Sequence, residues 1–209
     1  MGSPPLNIVV LISGSGTNLQ ALIDAVPSFR EPEARISLVV SNSKHAYGIQ
    51  RAKAAHPPIP TQIYSLASFR KQHPELTDQA ELRSQYDREL AAVVKTGRPN
   101  LVVLAGFMHI LSEQFLMEMR DDWLSHSASP IPVINLHPAL PGQFDGASAI
   151  ERAWKAGPDG RQEITETGVM IHELRKGESL EALSQRMHEV EHELIVAGTL
   201  EMLRRIKAI

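Results

Sequence analysis

The stretch Leu6-Asn7-Ile8-Val9-Val10-Leu11-Ile12-Ser13-Gly14-Ser15-Gly16-Thr17-Asn18-Leu19 decides the fold. Its first half is a short, nearly continuous apolar run, the pattern of a strand buried on both faces. Two glycines then turn the chain, and Leu19, Leu22, Ile23 and Val26 recur at helical spacing until Pro27. A buried strand that passes through a glycine turn into a helix opens a parallel α/β sheet.

The alternation continues outward from there. Ile36 to Val40 reads as a second strand, Ala46 to Ala55 as a helix and Thr61 to Tyr64 as a short third strand. Asp78 to Lys95 is a helix with Leu82, Tyr86, Leu90 and Val93 on one stripe. Leu101 to Ala105 is another buried strand, broken by Gly106, and Ser112 is placed to cap a helix through Phe115, Leu116 and Met119. A strand carrying Asn135 and His137 follows, then a helix near 147–155, a strand from Thr167 to His172 and a long helix from Glu178 to about Ile206. The expectation is a doubly wound, mostly parallel twisted sheet with helices on both faces, Rossmann-like in its N-terminal half. It forms a single domain over 1–209, with a phosphate-binding half of about 6–105 and a second half of about 106–209.

The totals narrow the function. A net charge of -3 and no long basic run argue against nucleic acid or an anionic membrane as the partner. Zero cysteines exclude disulfides, thiol catalysis and Cys-ligated zinc, and suit a cytoplasmic chain. No apolar run approaches the roughly 20 residues of a membrane span. The start Met1-Gly2-Ser3-Pro4-Pro5 carries no signal core.

In open α/β sheets, ligands bind beyond the carboxyl ends of the strands. Three loops there carry suitable residues. After Ile12, Gly14 and Gly16 precede Thr17 and Asn18 at a helix start, where bare N–H groups and the positive dipole end favour a phosphate. No Gly-Lys-Ser/Thr follows, the third glycine of a dinucleotide fingerprint is replaced by Leu19, and no acid ends the second strand, so a phosphomonoester fits better than a dinucleotide. A tight glycine turn with a polar cap is the plainer alternative. After Ala105, Gly106-Phe107-Met108 permits backbone approach to a flat ligand. In Val133-Ile134-Asn135-Leu136-His137-Pro138, period-two alternation sends the Asn135 amide and the His137 imidazole to one side, and Pro138 closes the strand. A proton carrier beside an oxyanion donor is half of an acyl-transfer site. Two satisfied polar residues at a strand end would look the same.

His188-Glu189-Val190-Glu191-His192 matches a zincin pattern. Helical spacing instead puts Glu191 on the apolar stripe with Leu180, Met187 and Leu194, and no third ligand follows, so no metal is expected. A carboxylate near an apolar face needs a cation or a ligand donor. Arg83, on the third helix, is a solvated charge or a phosphate partner.

Together these stretches resemble the glycinamide ribonucleotide formyltransferases, which formylate an amine of purine biosynthesis with 10-formyltetrahydrofolate. The likeness runs through Ile8 to Asn18, Tyr86-Asp87-Arg88-Glu89-Leu90, Val102 to Met108, Asn135-Leu136-His137-Pro138, Gly168 to His172 and Glu191-His192. The loop Leu140-Pro141-Gly142-Gln143-Phe144-Asp145-Gly146 looks more like the fungal versions than the bacterial ones. The resemblance implies that Gly16, Thr17 and Asn18 hold the substrate phosphate, with Arg83, Gly106 and Glu191 as further substrate contacts. Met108, His109, Ile110 and Leu111 would line the site of the folate cosubstrate, His109 standing where many relatives have arginine. Asn135 and His137 would be catalytic. The implied enzyme of one-carbon metabolism acts on small molecules, without metal, as a monomer or homodimer.

One departure stands out. In the family, the strand matching Thr167–His172 leads to a loop whose aspartate pairs with the catalytic histidine and raises its pKa. Here Ile171-His172-Glu173 passes directly to Leu174-Arg175-Lys176, leaving Asp145 and Glu173 as the nearest carboxylates in sequence. Either the chain has lost the aspartate and is an impaired ligand-binding paralogue, or its complete form retains the loop. The sister enzymes of the same folate-formyl domain are formyltetrahydrofolate hydrolase and methionyl-tRNA formyltransferase. They usually carry an extra domain before or after this one, for which the chain is expected to have no room.

Overall fold

The computed structural model describes residues 4–120, 131–136, 152, 166–167, 172–173 and 180–208. Five strands form one parallel sheet: β1 (Leu6–Ile12), β2 (Ala34–Ser41), β3 (Thr61–Ile63), β4 (Leu101–Leu104) and β5 (Val133–Asn135), in the order β3-β2-β1-β4-β5. The chain therefore winds outward from β1 in both directions, which is the doubly wound arrangement the alternation predicts.

Alternation within β1 builds two cores. Ile8, Val10 and Ile12 face one side, where they pack with Leu19 and Leu22 of α1 (Thr17–Ala25), Ile49 of α2 (Gly48–Ala54) and Ile195 and Leu203 of α6 (Leu180–Lys207). Val9 and Leu11 face the other side. They meet Phe69 of α3 (Leu66–Gln72), Leu82, Tyr86 and Leu90 of α4 (Gln79–Lys95) and Phe115 and Met119 of α5 (Glu113–Arg120). Every residue from Ile8 to Ile12 is fully buried, so a strand this apolar has no solvent face to offer.

Three expectations need correction. Helix α3 was not foreseen, because Leu66 and Phe69 are too few to define a stripe; it is started by Ser65, whose hydroxyl accepts the Ser68 N–H, and anchored by buried Phe69. Ser112 does not cap α5 with its side chain. Its hydroxyl has no partner among the described residues, and its backbone N–H goes to Asp87 instead. Thr167 and His172 do not belong to one strand: they pair antiparallel, as β6 (Glu166–Thr167) and β7 (His172–Glu173). A short apolar run alone does not distinguish one straight strand from the arms of a reversal. The helix expected near 147–155 lies outside the described residues apart from Arg152, which is helical.

The register positions the site. Leu11 of β1 is level with Leu104 of β4, and Leu104 with Asn135 of β5. The three loops singled out in the sequence thus leave one edge of the sheet from adjacent strands.

Candidate active site

The loop after β1 is shaped by contact with α2. Gly16 has φ 70°, and a Cβ there would stand 2.5 Å from the Gly48 Cα. Only glycine combines that left-handed turn with so close an approach. The Gly48 N–H donates to the Gly14 carbonyl (3.1 Å), and Arg51 donates to the Ser15 carbonyl (2.9 Å) and to Gln20 (3.2 Å). Thr17 opens α1, and no side chain caps its N-terminus, so the first N–H groups remain available to an anion.

Asn18 and Glu191 come together beside this loop. Both are buried, at 8% and 5% exposure. Burial pushes the Glu191 carboxyl up to about 7, and a hydrogen bond from the Asn18 side chain opposes the rise. The Asn18 Oδ1 accepts no hydrogen bond from any described residue. The pair therefore holds buried acceptor capacity that a ligand's hydroxyl or amine would satisfy. On the same turn of α6, His188 is exposed and His192 half-buried, so it is Glu191 that faces inward, as its place on the apolar stripe requires.

The loop after β4 is built differently. Gly106 turns it at φ 71°. Phe107 and His109 point inward, while Met108 and Ile110 are 69% and 77% exposed. Leu111 is half-buried against the α3–α5 core. The His109 Nε2 lies 2.7 Å from Asp87, whose other oxygen accepts the Ser112 N–H at 2.6 Å. Burial raises the Asp87 pKa, but the hydrogen bonds from His109 and Ser112 outweigh it and hold the carboxyl below its ordinary value. Arg83 donates to the Ile110 carbonyl (2.6 Å). The Ser13 hydroxyl accepts the Met108 N–H (2.7 Å), which joins the β1 loop to the β4 loop.

Asn135 ends β5 and is exposed there, level with Leu104. His137 lies outside the described residues. Gly16, Thr17, Asn18 and Glu191 thus gather on one side of the sheet edge, and Gly106, Met108, Ile110, Leu111 and Arg83 on the other. Asn135 stands at the carboxyl end of the strand beside β4.

The formyl transferase family matches residues 6–199. The chain belongs to that family. Among formyl transferases, it is 42% identical to the phosphoribosylglycinamide formyltransferase of Dictyostelium discoideum, over 91% of this chain and 94% of that protein. It is 41% identical to the Schizosaccharomyces pombe enzyme of the same name, over 91% of this chain and 93% of that protein. The crystal structure of phosphoribosylglycinamide formyltransferase from Anaplasma phagocytophilum superimposes with a TM-score of 0.71 at 26% identity, covering 97% of this chain and 88% of that one. The likeness to a fungal relative and the formyltransferase fold both agree with the sequence reading.

The S. pombe alignment contains gaps. It runs over 209 positions yet takes in 91% of this 209-residue chain, about 190 residues, so about 19 positions are gaps within this chain. Glu173 is followed directly by Leu174 in the sequence, which leaves no residues there to form a loop of the family's length.

Three residues of the site were not singled out from the sequence: Ser13, Arg51 and Asp87. Asp87 left a signal, an acid next to Tyr86 on the apolar stripe of α4, where a charge needs a partner. Ser13 and Arg51 act on backbone atoms of other segments, and neither sequence periodicity nor spacing reports such contacts.

Proposed function

We propose that this formyl transferase moves a formyl group from 10-formyltetrahydrofolate to the amine of glycinamide ribonucleotide in purine biosynthesis. The observation that carries the reading is the junction of two unlike ligand surfaces at one sheet edge, tied by the 2.7 Å bond between Ser13 and Met108. On one side, uncapped helix N–H groups and the Asn18–Glu191 pair suit a phosphorylated, hydroxyl-bearing amine. On the other, exposed Met108 and Ile110 suit the flat ring faces of the donor. Relatives at 41–42% identity carry the name of that activity.

In this reading the substrate amine adds to the formyl carbon, forming a C–N bond and a tetrahedral oxyanion. The Asn135 amide donates to the oxyanion, and protonated His137 is the second donor. Collapse of the intermediate breaks the bond to the folate nitrogen, His137 passes that nitrogen a proton, and the surplus proton of the attacking amine returns to the freed His137 imidazole. Gly16, Thr17 and Asn18 hold the phosphate, Glu191 takes ribose hydroxyls or the amine, and Arg83 fixes the loop that faces the donor. Replacing Asn135 with alanine is expected to lower kcat by about 10²–10³, the typical effect of losing one oxyanion donor. His137→Ala is expected to abolish transfer while leaving both ligands bound. Full activity in His137→Ala would sink the assignment.

The shortened segment after Glu173 favours a second reading: a paralogue that binds both ligands with little turnover. Steady-state formyl transfer by the purified chain, with calorimetric binding of each ligand, separates the two.

A further inference from the structure

Residues 107–111 alternate between inward and outward side chains: Phe107 and His109 in, Met108 and Ile110 out. The outward pair leaves two large apolar side chains 69% and 77% exposed, a surface that gains from being covered by a ligand. Something must keep these side chains from folding back. Asp87 does so from behind, with no exposure of its own side chain. One of its oxygens holds the His109 ring at 2.7 Å and the other holds the Ser112 N–H at 2.6 Å, so a single carboxylate grips the loop in the middle of the exposed segment and again two residues past its end. The His109 side chain is 7% exposed and wedged edge-on against Tyr86 (5.1 Å between centroids) and Phe107 (6.0 Å). Tyr86 in turn stacks on Tyr64 at 5.1 Å and donates to its carbonyl.

We propose that Asp87 and His109 are a positioning pair for the formyl donor, a buried hydrogen-bonded couple that fixes the backbone of 108–110 so that Met108 and Ile110 present a rigid apolar face to it. His109 acts through its neighbours and touches no ligand itself, unlike a lining residue at that position. The inference rests on the formyl-donor assignment of this loop. Preorganisation of this kind acts on donor affinity, because a loop that must be ordered on binding takes its ordering cost out of that step.

The test compares His109→Gln, whose amide spans to Asp87, with His109→Asn, which is too short to reach it. For each, calorimetric binding of 10-formyltetrahydrofolate is read alongside KM for each substrate. His109→Asn is expected to weaken donor binding about tenfold, the factor one charge-assisted hydrogen bond commands, with the ribonucleotide KM unchanged within about twofold. His109→Gln should recover most of the loss. Equal donor affinity in wild type and His109→Asn would overturn the proposal, as would parallel loss for both substrates. If the wild type binds the donor without transferring its formyl group, the catalytic reading fails while the positioning role is still decided by these affinities. A wild type that does not bind the donor ends both.

Discussion

The loops leaving β1 and β4 are neighbours in space and opposites in construction. The β1 side is polar and unfinished: Asn18 Oδ1 has no donor among the described residues, and Glu191 is so poorly solvated that its carboxyl titrates at about 7. The β4 side is finished in its backbone, although the Ser112 hydroxyl has no partner among the described residues. Its backbone is held by Asp87, Arg83 and Ser13, and it shows solvent mainly the apolar side chains of Met108 and Ile110. The contrast teaches how one sheet edge can select two unlike ligands. A site with unmet hydrogen-bonding capacity discriminates by polar groups, whereas a prestructured apolar face discriminates by shape.

The largest effect that would break the contrast is expected at Gly16. Gly16→Ala faces left-handed strain of about 1–2 kcal/mol together with overpacking of about 1–3 kcal/mol against the Gly48 Cα. Denaturant unfolding should show the combined loss, with weakened phosphate binding and little change in donor binding.

Glu191 gives the next effect. Its folded pKa of about 7 lies above the ordinary 4.5, so between those values the folded chain holds a proton that the unfolded chain has released. Stability contributed by that proton is full below about 4.5 and lost as pH rises to about 7. Glu191→Gln should flatten this part of the stability profile and exceed the wild type at pH 8 by up to about 3 kcal/mol. Melting curves across pH read it directly. A ligand that supplies the missing donor should reverse the shift, so ribonucleotide binding near neutral pH should release a proton, detectable by calorimetry in buffers of different ionisation enthalpy.

The smallest effect sharpens the link between the two sides. Ser13→Ala removes the acceptor of the Met108 N–H, at a cost of about 1 kcal/mol. Its signature is a rise in KM for both substrates, because Ser13 belongs to one loop and holds the other.

Much of this was legible in the sequence. The run Ile8 to Ile12 announced a strand buried on both faces, and helical spacing singled out Leu82, Tyr86, Leu90 and Glu191. The phosphate loop could be read because glycine and helix-start chemistry are local. The rest depends on contacts between segments. Gly16 needs its φ, but only the structure reveals Gly48 behind it. The inward turn of His109 follows from Asp87, 22 residues earlier, and no local pattern predicts that pairing. Helix α3 depends on one capping serine and one buried phenylalanine, too small a signal for periodicity to register.

The central claim is that both sides serve one transfer even though the family loop after Glu173 is absent. It is tested most directly by following a carbon-13 formyl group from 10-formyltetrahydrofolate with the purified chain and glycinamide ribonucleotide. The label should appear on the ribonucleotide amine in the wild type and stay on the folate with His137→Ala. Release of labelled formate without ribonucleotide product, or binding of both ligands with no movement of the label, would contradict the account.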